Sequence, residues 1–172
     1  VNMNAWEFIQ SRPDMFSGMI AAINYVDQDP NFKDVKEMYT HTGNTYLLLH
    51  DTALINLEDT TSYFRRRVTR NTNAASPNFG KLTFTRERKS DWSQFDRQTV
   101  ADLLRYHVLK GTHTFRTLNS TPKWVDTYAL SATNDSAKMY VFLRPTREAD
   151  LWFNNYSSNL SPGEIRPRTP GL

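Results

Sequence analysis

The chain has 172 residues, 38% of them hydrophobic and 13% aromatic, enough apolar matter to bury a core and the wrong composition for a disordered chain. It carries 21 Lys and Arg against 18 Asp and Glu, a formal net charge of +3; that excess is compatible with an acidic partner without demanding one. It has no cysteine, which excludes disulfides, thiolate metal sites and a cysteine nucleophile, and no apolar run approaches the roughly 20 residues that a membrane-crossing helix needs.

The sequence begins at Val1 with no basic-then-apolar leader, so an export signal or a lipid-bearing cysteine is expected upstream. A short helical turn is predicted around Trp6–Ile9. Ser11-Arg12-Pro13-Asp14 reads as a helix start, with Ser11 as N-cap, Pro13 in the first turn and Asp14 against the positive helix end. Met15, Met19, Ile20, Ile23 and Val26 follow at helical spacing, and Asp29-Pro30 closes the element. Tyr46–Leu49 reads as a buried strand bounded by Gly43-Asn44. His50-Asp51-Thr52-Ala53-Leu54 leads from it into an amphipathic piece ending at Phe64, with Leu57 and Phe64 as expected core contacts.

Residues 65–91 are the most polar stretch: Arg65, Arg66, Arg67 and Arg70, a loop over 71–80, a short strand at Leu82–Thr85 and a charged run over 86–89. The clearest helix is predicted over Asp91–Val108, where Trp92, Phe95, Thr99, Val100, Leu103, Leu104 and His107 form one apolar stripe. Ser90 or Asp91 is its expected cap and Gly111 its stop. Strands are predicted at 112–118, 124–130, 139–143 and 151–153, with turns at 119–122 and 133–136. Pro162, Pro167 and Pro170 predict an extended or loose end.

Helices first and strands after is the pattern of an α+β domain, a helical layer on a mostly antiparallel sheet. A single domain over 1–172 is expected, made of a helical part 4–64, a loop-rich basic insert 65–90, the main helix 91–108, strands over 112–155 and a loose segment 156–172.

Residues 91–111, DWSQFDRQTVADLLRYHVLKG, resemble the region of fasciclin-like domains that carries their Tyr-His motif. Residues 44–57, NTYLLLHDTALINL, are similar to the family's first motif, with His50-Asp51-Thr52-Ala53-Leu54 standing where an Ala-Pro-Thr-Asp-x-Ala-Phe run is usual. Residues 5–23 resemble the helical start of fasciclin-like domains in Gram-negative surface lipoproteins. The resemblance implies a β-sandwich or wedge with a layer of helices packed on it, with Asp51, Thr52, Ala53, Leu104 and Gly111 as structural motif positions. It also implies surface display, adhesion or ligand binding, no general catalytic activity, and company with outer-membrane nutrient importers. The family's closing Asn-Gly-Val-Ile-His-Val-Ile-Asp type strand has no counterpart before Leu172; its loss would leave an open sheet edge, so either the sequence is cut short there or something else fills the edge.

Each candidate residue has a bland reading beside its functional one. Tyr106 and His107 are candidate partner contacts, yet the helical stripe carries His107 inward, where an imidazole serves as a hydrogen-bonded pin. His107 and His113 lie six positions apart, and His41 and His50 nine, neither matching the spacing of a helical metal pair, so no metal or cofactor is expected. No nucleophile elbow, phosphate loop or His-Glu-x-x-His occurs, which leaves a hydrolase using His107 as a minor alternative. Arg65, Arg66 and Arg67 form a candidate grip for anionic groups, against the reading of a solvated helix face. Only Tyr63 and Phe64 adjoin them, too few aromatics for nucleic-acid stacking. Of the four tryptophans Trp124, beside Pro122 and Lys123, is the expected exposed one and a candidate for sugar stacking.

The expected function is therefore that of a non-enzymatic adhesion or binding module at a cell surface or outer membrane. It would be held there by an unseen lipid anchor, as an accessory subunit to a protein partner. A free-standing glycan-binding module is the alternative.

Overall fold

A computed structural model of the chain describes residues 2–59, 62–65, 67–70, 73–79, 82–85, 88–129, 137–143 and 151–153, with side chains left aside at 67–70, 82–85 and 151–153. It is a mixed α+β protein, with helices and small antiparallel sheets. It divides into two compact units: Val1–Thr40 with Leu48–Val100, and His41–Leu47 with Ala101–Leu172.

The first unit is mainly helical. Helix α1 (Ala5–Ser11) opens with a reciprocal capping box: Asn4 Oδ1 accepts from the Glu7 N–H at 2.8 Å, and Glu7 Oε2 accepts from the Asn4 N–H at 3.0 Å. Helix α2 (Pro13–Asp27) buries Met19, Ala22, Ile23 and Val26 along one stripe. The expected N-cap at Ser11 is displaced. Helix α1 runs through Ser11, whose hydroxyl donates to the Phe8 carbonyl at 2.6 Å, and Arg12 occupies the cap position with no side-chain cap bond.

Instead, α2 kinks at Phe16, whose φ of −125° and ψ of 20° leave the helix. The free N–H groups beyond the kink, on Ser17 and Gly18, donate to the Asp51 carboxylate at 3.2 and 2.7 Å, and the Ser17 hydroxyl donates to it as well. Asp51 thus acts as an N-cap supplied by another part of the chain, a negative group on a helix N-terminus. The Gly18 carbonyl in turn accepts from the buried Trp92 indole Nε1–H at 2.9 Å.

Asp29-Pro30, read as a helix end, also begins the next element. Asp29 caps a 3-10 turn (Pro30–Phe32) that leads into α3 (Lys33–Met38), burying Val35, Met38 and Tyr39. Proline at the first helical position starts a helix as readily as it stops one. Helix α4 (Asp51–Leu54) is one turn, and the amphipathic piece expected up to Phe64 reduces to it and a 3-10 turn at Tyr63–Arg65. Leu57 is half-buried and Phe64 is buried. Strands β2 (Arg67–Arg70) and β3 (Leu82–Thr85) pair antiparallel, Arg67 with Thr85 and Arg70 with Leu82. Strand β2 falls in the stretch read as polar and irregular.

The helix expected over 91–108 is two pieces. Asp91 makes a capping box with Gln94 on a 3-10 turn (Trp92–Gln94). Phe95 is extended, and Asp96 then accepts from the Thr99 N–H and hydroxyl at 3.2 and 2.9 Å, capping α5 (Arg97–Tyr106). Two aspartates five positions apart each offer a local cap, and each cap starts its own element. Around the break, Trp92 and Phe64 meet edge to face at 4.8 Å and Tyr63 stacks on Phe95 at 5.2 Å. Burial there pushes the Tyr63 phenol up to about 12.

The second unit carries the remaining described strands. Strand β1 (Thr45–Tyr46) pairs antiparallel with β4 (Val108–Leu109), and Leu109 bridges to Thr127. The strand expected over 46–49 is therefore shorter and begins one residue earlier, and 46–49 are half-buried. Strands β5 (Lys123–Asp126), β6 (Lys138–Leu143) and β7 (Leu151–Phe153) form an antiparallel sheet in that order. Val125, Met139 and Val141 alternate inward onto Tyr106, Leu109, Leu118, Ala129 and Ala137. Residues 112–118, read as a strand, turn instead: the Thr117 and Leu118 N–H groups donate to the Thr114 carbonyl, and the Thr117 hydroxyl takes the Thr114 N–H at 2.8 Å. Threonine hydroxyls offer the backbone an alternative to a ladder. Gly111 ends β4, not the helix, at a φ of +86° that suits glycine. The segment 156–172 and the turn at 133–136 lie outside the described residues.

Gly18 is the tightest of the described glycines. A Cβ there would meet Ile55 Cγ2 at 2.8 Å and Asp51 Oδ1 at 3.1 Å. Gly18→Ala is expected to cost about 1–3 kcal/mol through overpacking, read as a lower urea midpoint. An unchanged midpoint would mean that this junction yields freely.

Candidate functional site

The Tyr-His motif straddles the end of α5. Tyr106 is buried in the core of the second unit, with its hydroxyl 3.5 Å from the Lys138 carbonyl. His107 follows the last helical residue. Its Nδ1–H donates to the Leu103 carbonyl at 2.7 Å, and its own carbonyl accepts from the Leu47 N–H at 2.9 Å. The imidazole closes an open carbonyl at the helix end, while the backbone of the same residue extends the β1–β4 pairing. The residue keeps some surface, yet its ring is enclosed, and that burial holds the imidazole below the ordinary histidine value against the opposing pull of the Leu103 bond. The bond goes to a backbone carbonyl one turn back, so the ring pins the helix end.

The first-motif residues divide. Asp51 is the long-range cap already described. His50 Nδ1 accepts from the Thr52 N–H at 3.1 Å and lies 2.9 Å from the Thr52 hydroxyl, so the histidine caps α4. Ala53 is exposed and Leu104 is fully buried. Gly111 offers its carbonyl to the Thr45 hydroxyl at 2.9 Å.

The arginine run does not form a helix face. Arg65 ends a 3-10 turn and its guanidinium Nη1 donates to the Leu57 carbonyl, so it is engaged within the unit. Arg67 begins β2; Arg66 and the Arg67 side chain lie outside what is described. Among the described residues no group of three or more His, Asp or Glu side chains is placed to hold a metal ion.

The face that the sequence reading only touched at Trp124 is the outer side of β5 and β6. Trp124 is 53% exposed. Strand pairing sets it opposite Tyr140, with ring centroids 5.1 Å apart and tilted by 57°. Tyr140 meets Phe142 edge to face at 6.0 Å, and Phe142 pairs in register with Trp152 of β7. One step along the ladder in the other direction, Asp126 and Lys138 pair at 3.6 Å, each about half exposed. Tyr140 and Phe142 went unnoticed as site residues. Their signal was present in the alternation of Lys138-Met139-Tyr140-Val141-Phe142-Leu143, but register is needed to set them beside Trp124.

Comparison of the chain with protein-family models, with curated proteins and with solved structures gave no match.

The depressed imidazole of His107 gives stability a definite pH dependence. Above the ordinary histidine value of about 6.5 the ring is neutral in both folded and unfolded chains. As pH falls through that value the unfolded chain takes the proton first, so stability declines until the lower folded pKa is reached. The urea midpoint of the wild type should therefore fall more between about pH 7.5 and pH 5.5 than that of His107→Gln. Equal falls would show that His107 titrates as an ordinary exposed histidine.

Proposed function

We propose that the chain is a non-enzymatic binding module of the fasciclin-like type, a β-sandwich or wedge with helices layered on it. It is displayed at a Gram-negative cell surface as an accessory, lipid-anchored subunit of an outer-membrane assembly such as a nutrient importer. The observation that carries the binding reading is the outer face of β5 and β6, where Trp124 stays 53% exposed beside Tyr140 and Phe142. A large exposed aromatic set beside two half-buried ones on the outer side of a sheet supports that reading, since aromatic residues are enriched where partners dock. The motif residues support the same reading from the other side: Tyr106, His107 and Asp51 are occupied in holding backbone groups. The mechanism is then surface complementarity, with the folded units as scaffold.

The test is capture of the tagged chain from its native membrane in mild detergent, followed by mass spectrometry. A stoichiometric outer-membrane protein is the expected companion. Recovery of the chain alone would overturn the accessory role, and a hydrolytic activity abolished by His107→Ala would overturn the non-enzymatic one.

A further inference from the structure

We propose that the outer face of β5 and β6 binds an uncharged oligosaccharide, an inference that rests on the reading of the chain as a binding module. The face has two chemistries in one row. Its middle is aromatic: Trp124, then Tyr140 at 5.1 Å, then Phe142 at 6.0 Å. Its end is polar: the Asp126 carboxylate and the Lys138 ammonium, 3.6 Å apart and each about half exposed. Strand alternation sets both on the same side, because Trp124 and Asp126 are two apart on β5, and Lys138, Tyr140 and Phe142 two apart on β6.

A sugar ring has the matching pair of surfaces. Its flat side is a patch of C–H groups carrying slight positive charge, which fits the negative face of an indole or phenol ring. Its edge is a row of hydroxyls that both donate and accept. The Asp126 carboxylate takes hydroxyl protons and the Lys138 ammonium gives them, so the ion pair serves a neutral polyol without net charge of its own.

The same pair argues against other occupants. Protein interfaces are depleted of charge at their cores, and here an ion pair sits next along the ladder to the exposed Trp124. A nucleic acid calls for several phosphate-neutralising cations; among the described residues of β5 and β6 the cation on this face is Lys138, and it is already paired with Asp126. The tilt of 57° between Trp124 and Tyr140 makes a stepped surface rather than a flat platform, which suits a chain whose successive sugar rings are rotated about their linkage.

The experiment is a titration of the chain with soluble, uncharged oligosaccharides of glucose, xylose and mannose and with one sulfated oligosaccharide. Tryptophan fluorescence and saturation-transfer NMR are the readouts. At least one uncharged oligosaccharide should bind, with transfer concentrated on the C–H protons of one ring side. Trp124→Ala should weaken that binding by about tenfold or more, a large share of the energy of a weak complex, and Trp124→Phe should recover part of the loss. Phe115→Ala, which removes another exposed aromatic outside the sheet, should leave binding unchanged. Binding of the sulfated sugar only, no binding at all, or equal binding by Trp124→Ala overturns the proposal. If the sugars fail while capture from the membrane retains a protein partner that Trp124→Ala loses, the face is a protein interface and the binding-module reading stands. If both fail, both fall.

Discussion

The helical unit depends on one carboxylate. Asp51 accepts the N–H groups of Ser17 and Gly18, the first donors after the kink in α2, and without it that helix end would be left with open donors. The arrangement is tight because the residue receiving the cap is glycine. Its N–H goes to Asp51, its carbonyl takes the Trp92 indole N–H, and the space for a side chain belongs to Ile55. Three segments distant in sequence thus meet on one backbone unit. A side chain in place of that hydrogen would spread them apart, and apolar packing alone does not restore directional bonds.

The second unit uses the same economy at His107. One residue closes a helix with its ring and extends a strand pair with its carbonyl. Neither His107 nor Asp51 is idle: each side chain satisfies a backbone group at a helix end. The outer side of β5 and β6 carries groups of another kind, aromatic rings and a half-exposed ion pair.

Sequence patterning reveals periodic elements well and junctions poorly. The stripe of Met19, Ile23 and Val26 marks α2, and the alternation over 138–143 marks β6, because one buried face imposes its period on the residues. Local caps are harder to weigh. Asp91 and Asp96 both look like polar interruptions of a long apolar stripe, yet each begins a new element. Strand β2 is hidden because Arg67 and Arg70 lack the apolar character that usually flags a strand. The aromatic face of β5 and β6 was half legible: Trp124 stood out beside Pro122 and Lys123, whereas Tyr140 and Phe142 join it only through a pairing register that no single strand encodes. The role of Asp51 was the least legible of all, since its partner lies 34 positions away and the intervening sequence carries no sign of the meeting.

That separation has a consequence for the order in which the protein comes into being. The part of α2 beyond Phe16 emerges from the ribosome well before the residue that caps it. Until position 51 has been added and has swung back, this stretch is a short helix with an open, kinked start, and helices of that length are marginal alone in water. Indole closure on Gly18 comes later still, because Trp92 lies 74 positions further along. The N-terminal segment therefore cannot settle as it is made. Its buried stripe stays available to chaperones, or to the wrong neighbours, until Trp92 has been added.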